Sequence, residues 1–289
     1  MENLLIIWRN IVRKIDKIYL KCCYDLLHHG KQVGNTLELR NIKFTVPDIT
    51  ENIISVRNLS AAYLFGEWLW YFDGKNDVDF ISAFGSMWKK LSDDGVTNNS
   101  AYGYIMKYKF GFDQIEKVIE LLKKDPNSRR AVINLNTPNE SVIETKDEPC
   151  TIALDFLIRN NRLYCTGMMR SNDIWFGLPY DIAFFMELQK FIADAIGVEY
   201  GTYTHFAVSL HAYDKNLKQI QNIVENPVQR LIVFDKDKFW KNRIFVTTII
   251  DSLCMEHYDP NYIKQSLLVL AANNFGYKEM EIKNEDQNN

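Results

Sequence analysis

Cys150 follows a proline and precedes an alternating segment, in Glu148-Pro149-Cys150-Thr151. A thiolate is a strong nucleophile, but a lone cysteine also serves as small apolar filler. Glu67 lies in Gly66-Glu67-Trp68-Leu69-Trp70-Tyr71. A carboxylate among aromatics loses hydration, so it needs partners or a raised pKa. It is either a proton-handling group or half of a buried ion pair. Met169-Arg170-Ser171-Asn172-Asp173 puts a two-donor guanidinium beside a hydroxyl, which suits a phosphate or a surface salt bridge. Arg129 and Arg130 are adjacent at the entry to a strand, so they point to opposite faces. A single phosphate cannot easily take both from one chain. Asp181, in Phe176-Gly177-Leu178-Pro179-Tyr180-Asp181, can stabilise a helix start or read a base edge. His211 and Tyr213 share one side of a strand, where they hold a sugar hydroxyl or pack half-buried.

Positioning these groups takes alternating helices and strands. The spacing predicts a helix over 4–27 that His28-His29-Gly30 ends, a strand over 37–46 and an aromatic-rich helix over 59–72. Ile115, Val118, Ile119 and Leu122 give one buried stripe to a helix over 112–124. A short strand follows over 131–135. Ile152, Leu154, Phe156 and Ile158 have the strand period, and Asn160-Asn161 turns them into a second strand over 163–169. Pro179 opens a buried helix that Gly197 closes. Further strands are expected over 207–213 and 231–234. The sum is an α/β or α+β protein with a mixed sheet.

The chain has 289 residues, 47% apolar and 25% charged, and shows no repeat or linker, so one domain over 1–289 is expected. A net charge of -3 gives no reason to expect nucleic acid. The five cysteines lack CxxC spacing, and no metal site or disulfide framework is expected. A reduced, cytoplasmic setting follows from that usage. Residues 1–20 read as an amphipathic helical extension, broken by Arg9, Arg13, Lys14, Asp16 and Lys17, and not as a signal peptide, spanning helix or membrane anchor. Residues 283–289 read as a disordered polar tail.

Taken in order, these motifs resemble thymidylate synthase and its hydroxymethylase relatives over about residues 20–220. The matching pieces are GEWLWYF, NSAYG, DPNSRR, EPCT, RSNDIWFGLP and SLHAY. The resemblance implies a single-domain fold with a mixed central sheet flanked by helices, and a homodimer joined sheet to sheet. Cys150 would add to C6 of a pyrimidine nucleoside monophosphate. Arg170 and Ser171 would hold its phosphate, with Arg129 and Arg130 reaching across from the other subunit. His211 and Tyr213 would hold the sugar. Asp173, Trp88 and Gly177 would bind the co-substrate 5,10-methylenetetrahydrofolate. Glu67 and Tyr102 would organise water and proton transfer. Adding a thiolate at C6 makes C5 nucleophilic toward a one-carbon unit. Hydride from the folate would then give a methyl group, and water a hydroxymethyl group. Arg170 is expected to favour the thiolate of Cys150.

Departures from the resemblance carry the specificity. Thymidylate synthases have Asn where this chain has Asp181. An amide matches O4 and N3-H of uracil, whereas a carboxylate accepts from the N4 amine of cytosine. Leaving such groups unpaired costs about 1–3 kcal/mol, enough to choose the base. Asp181 therefore points to a (deoxy)cytidylate 5-hydroxymethylase. Thr151, Met169 and the run Asn98-Asn99-Ser100-Ala101-Tyr102-Gly103 also follow the phage deoxycytidylate hydroxymethylases, while Pro149 and Leu178-Pro179 follow thymidylate synthase. The phosphate-capping Arg-Thr-Gly loop has no evident counterpart, Arg40 being a poor substitute, and the apolar C-terminus that closes over folate is replaced by a polar one. The alternatives are methylation of dUMP and a catalytically silent nucleotide-binding homologue. The sequence leaves CMP and dCMP unseparated.

Overall fold

Asn160 and Asn161 both take positive φ, 51° and 58°, and reverse the chain between two long strands. Two such residues in succession form the turn whose twist matches a hairpin. β4 (Thr151–Arg159) and β5 (Arg162–Asp173) are thereby joined antiparallel. They belong to a six-stranded sheet ordered β1-β2-β6-β5-β4-β3, the others being β1 (Lys31–Val33), β2 (Thr36–Val46), β3 (Val132–Asn134) and β6 (Glu199–Tyr213). β5 and β6 are parallel and every other pairing is antiparallel, so the sheet is mixed as expected. The computed structural model describes residue 11, residues 13–138 and residues 144–282.

The helices run in chain order as α1 (Lys14–His29), α2 (Ala61–Phe72), α3 (Val78–Ser82), α4 (Met87–Leu91), α5 (Tyr102–Lys107), α6 (Gln114–Lys124), α7 (Leu178–Ile196), α8 (Leu217–Glu225), α9 (Lys236–Met255) and α10 (Pro260–Phe275). Two of them are apolar nearly all round. α2 buries every residue but Tyr63, and α7 buries its whole length from Leu178 to Ala193 except Asp181 and Phe191. A helix without a polar face must lie inside. α7 packs on β5 and β6, while α9 and α10 cover α2. Pro179 stands in the first turn of α7, and Gly197 ends it in the left-handed conformation at φ 87°. Among the described residues, no helix is long and apolar enough to cross a membrane.

The fold differs from or adds to the sequence expectations in three places. Residues 14–20 are not an add-on: Ile15, Tyr19 and Leu20 are buried, and α1 packs against β2 and α8. Residues 1–10 and the tail over 283–289 lie outside the described residues. The strand near 231–234 does not join the central sheet. It is β7 (Gln229–Val233), which pairs only with β8 (Lys278–Ile282). α9 and α10 were not anticipated.

One face of the sheet is left open by the helices. Leu163, Cys165 and Met169 on β5 are buried, whereas Tyr164, Thr166 and Met168 between them are half-buried or exposed. On β6, Thr202, Thr204, Phe206 and Val208 lie on that same side.

Candidate active site

The register breaks between Thr151 and Ala153 on β4, one residue after Cys150. A bulge bends a strand and re-aims its side chains, and bulges gather at such sites. Of the five cysteines, Cys150 alone is not buried. Its pKa is nevertheless pushed up to about 11, chiefly by burial. Arg170 opposes this, and the carboxylates of Asp181, Asp147 and Glu148 reinforce it. Arg170 therefore favours the thiolate as expected, but desolvation outweighs it and the resting group is a thiol. The guanidinium is also not loose. Nε donates to the carbonyl of Pro149 at 3.0 Å and Nη2 to that of Glu148 at 2.9 Å, while Glu148 Oε1 lies 3.4 Å from Nε. Arg170 thus braces the segment that carries the cysteine.

The loop ahead of Cys150 is fixed from a second side. Ser100 donates its amide and hydroxyl to the two oxygens of buried Asp147, at 2.8 and 2.5 Å. Sequence reasoning missed Asp147. Thr151 and Met169 are directly opposite in the register, and the threonine hydroxyl donates to the thioether sulfur at 2.9 Å. Two substitutions that look independent in the sequence are one contact.

Glu67 is 6% exposed, and Oε1 accepts from the Tyr63 hydroxyl at 2.7 Å. Tyr63 in turn accepts from Trp88 Nε1 at 3.0 Å. Trp88, expected at the folate pocket, is thus tied to Glu67 through a residue the sequence reading passed over. Tyr63 precedes Glu67 by four, the spacing of neighbours on a helix face, which could have found it. Burial, opposed by the Tyr63 hydrogen bond and aided by Asp181, raises Glu67 to about 8.

That shift has a signed consequence. A carboxyl with a raised folded-state pKa holds its proton more tightly when folded. Its contribution to stability is complete below the ordinary value of 4.5 and is lost as pH rises through about 8. Unfolding free energies from urea titrations should therefore fall between about pH 5 and pH 8, by at most about 1.4 kcal/mol per pH unit from this group. Asp181, raised from 3.8 to about 7, adds a decline of the same sign. Glu67→Gln should flatten the part due to Glu67. Parallel declines in variant and wild type would show that Glu67 keeps an ordinary pKa.

Tyr102 begins α5, is buried, and accepts the Thr151 amide at 3.3 Å. Its ring stacks on Tyr71 at 5.4 Å. Gly103 permits this approach, because a Cβ there would stand 2.0 Å from the Tyr71 carbonyl oxygen. Gly103→Ala should cost about 3 kcal/mol and lower the melting temperature. An unshifted melting temperature would mean that α2 and α5 can separate freely.

Asp181 lies in the first turn of α7 and is half-buried. Oδ2 accepts from Asn172 Nδ2 at 2.7 Å. Burial raises its pKa to about 7, with the Asn172 hydrogen bond opposing and Asp173 adding to the rise. Gly177, expected to touch the folate, has a local reason: a Cβ there would meet Asn172 Nδ2 at 3.0 Å and Asp181 Oδ2 at 3.2 Å. Asp173 Oδ1 accepts the amides of Trp175 and Phe176, at 2.7 and 3.2 Å, and caps the turn into α7.

Ser171 pairs in register with Ser209, and Asp173 with His211. His211 and Tyr213 lie edge to face with centroids 5.7 Å apart. Electrostatic coupling links Asp181 to Glu67, Cys150 and Tyr102. Arg129 and Arg130 are exposed just before β3. A cleft of about 470 Å³ lined by Arg57, Trp175, Lys218 and Arg230 adjoins Trp175 and does not include the cysteine. Among the described residues, no cluster of His, Cys, Asp and Glu could hold a metal ion.

A family model described as thymidylate synthase matches residues 17–269. A deoxyuridylate hydroxymethyltransferase from Pseudomonas phage M6 is 33% identical over 172 residues, 58% of this chain and 49% of that protein. One from Bacillus phage SP01 is 32% identical over 185 residues, 60% of this chain and 48% of that protein. The chain spans about half the length of these curated relatives.

Proposed function

The chain belongs to the thymidylate synthase family, and from that premise we propose that it hydroxymethylates C5 of a cytidine monophosphate, CMP or dCMP. The observation that carries this reading is the Asp181 carboxylate, set in the first turn of α7 with one oxygen bound by Asn172. The co-substrate 5,10-methylenetetrahydrofolate supplies a carbon at the oxidation level of formaldehyde. The described residues suit such a group: Trp88 is a half-buried aromatic surface tied to Glu67 through Tyr63, and Asp173 has Oδ2 outside its turn.

Cys150 adds to C6, and its proton must leave as the C–S bond forms. A carboxyl titrating near 7 can pass a proton to cytosine N3 as electron density moves onto the ring. C5 then takes the one-carbon unit, and loss of the C5 proton and of tetrahydrofolate leaves an exocyclic methylene on the ring. Addition of water to that methylene, expulsion of Cys150 and return of the N3 proton to Asp181 complete the hydroxymethyl product. Glu67, with a pKa near 8 beside Tyr63 and Tyr71, is matched to handling that water. Arg170 and Ser171 hold the phosphate, and His211 and Tyr213 the sugar.

We also propose a homodimer joined through the open sheet face. Exposed Arg129 and Arg130 then complete the phosphate site of the partner. The relatives' names favour a second reading, in which the base is uracil. Incubation with methylenetetrahydrofolate and CMP, dCMP or dUMP separates the two. A 5-hydroxymethylcytosine nucleotide is the expected product. Product from dUMP alone overturns the cytidine reading, and a methylated product with dihydrofolate release overturns hydroxymethylation.

A further inference from the structure

Asp181 is held by more than Asn172. Tyr203 and His205 stand two apart on β6, so they share the face that meets the helices, and both are fully buried. The Tyr203 hydroxyl lies 2.9 Å from His205 Nδ1, and His205 Nε2 lies 3.0 Å from Asn172 Oδ1. Asn172 Nδ2 then reaches Asp181 Oδ2 at 2.7 Å. Phe44 stacks on the imidazole at 5.2 Å. Glycines clear space at both ends. A Cβ at Gly167 would meet the Tyr203 hydroxyl at 2.4 Å, and Gly177 makes the corresponding room beside Asn172 and Asp181.

The contacts admit one direction while Asp181 is ionised. Burial drives the His205 pKa down to about 3, so the ring is neutral and carries one N–H. An amide oxygen cannot face a carboxylate, so Asn172 must turn its NH2 to Asp181 and its oxygen to the ring. The ring hydrogen must then sit on Nε2. Nδ1 must accept, and the Tyr203 hydroxyl must donate. Reversing one contact means reversing all of them and placing a proton on Asp181 Oδ2.

We propose that Tyr203, His205 and Asn172 form a positioning chain that commits Asp181 Oδ2 as a hydrogen-bond acceptor and thereby sets which pyrimidine base Asp181 selects. This rests on Asp181 being the base reader. Tyr203 is the outermost member, hydrogen-bonded to His205 and within electrostatic reach of Asp181. Its hydroxyl fixes the ring hydrogen, the ring fixes the amide, and the amide fixes the carboxylate. Without the hydroxyl both ring tautomers become accessible, and the amide is no longer held in one orientation.

Two measurements on the full chain test this. Nitrogen-15 NMR of wild-type His205 should show a neutral ring with its hydrogen on Nε2, and Tyr203→Phe should give a mixture of tautomers. Dissociation constants for cytidine and uridine 5′-monophosphates, taken without folate, should show the cytidine preference falling about tenfold in Tyr203→Phe. The loss should come from weaker cytidine binding, with uridine binding little changed. A purely structural role would weaken both nucleotides alike. An Nδ1-H tautomer in the wild type, or an unchanged preference in Y203F, overturns the proposal. If the wild type prefers the uridine nucleotide, the base reading of Asp181 fails, and the tautomer result alone then decides whether the chain exists.

Discussion

Cys150→Ser should lower turnover by a factor on the order of 10,000 while leaving nucleotide binding within about threefold. The expected size follows from what sulfur does. In the proposed mechanism, adding to C6 breaks the conjugation of the ring and makes C5 nucleophilic, and Cys150 alone is assigned to supply that electron pair. Serine has nearly the shape of cysteine, but its hydroxyl is a far weaker nucleophile. The segment around it should stay in place, because Arg170 holds the carbonyls of Glu148 and Pro149, not the thiol. Product formation by chromatography and binding by calorimetry measure the two effects separately. A variant that keeps about a hundredth of wild-type turnover would move the chemistry away from Cys150.

Asp181→Asn should turn preference from the cytidine toward the uridine nucleotide, by about 10–100-fold in the ratio of kcat/KM. A carboxylate offers acceptors only, and the cytosine N4 amine needs one. An amide adds the donor that uracil O4 needs. The swap preserves volume, so it should perturb packing little and leave Gly177 in place. Competition between the two nucleotides reads the ratio directly. An unchanged ratio would show that another group reads the base. The same variant removes an acid that titrates near 7, so any pH dependence of rate due to Asp181 should disappear with it.

Most of the motifs were legible because they combine a reactive side chain with a nearby Gly, Pro or Arg at fixed spacing. Cys150, Glu67, Tyr102 and Asp181 converge in the fold; the central hairpin and α6 were readable from their periodicity, α2 from its apolar run and α7 from Pro179 and Gly197. What escaped was the polar scaffold behind them. Tyr63, Asp147, Asn172 and His205 contact the site residues through the fold, and in sequence they look like ordinary polar residues. Asn172 stood within a recognised motif, yet its neighbours Arg170 and Asp173 drew the attention. Tyr203 shows its role only once Gly167 is seen beneath its hydroxyl. α9 and α10 escaped for another reason. They bury only a few positions each, against α2 and one another, so their apolar residues do not form one clear stripe. β7 was readable as a strand, but a short apolar run does not say which sheet it joins.

The burial of Cys150 bears on how the molecule survives when idle. Electrophiles and peroxides attack thiolates, and a group titrating near 11 presents almost none at neutral pH. On the proposed mechanism, the nucleophile is therefore stored in its inert form. Damage by adventitious alkylation or oxidation should be slow for a half-exposed cysteine. On that mechanism the sulfur would be called into use only by a ring that offers it a carbon to attack and somewhere to send its proton.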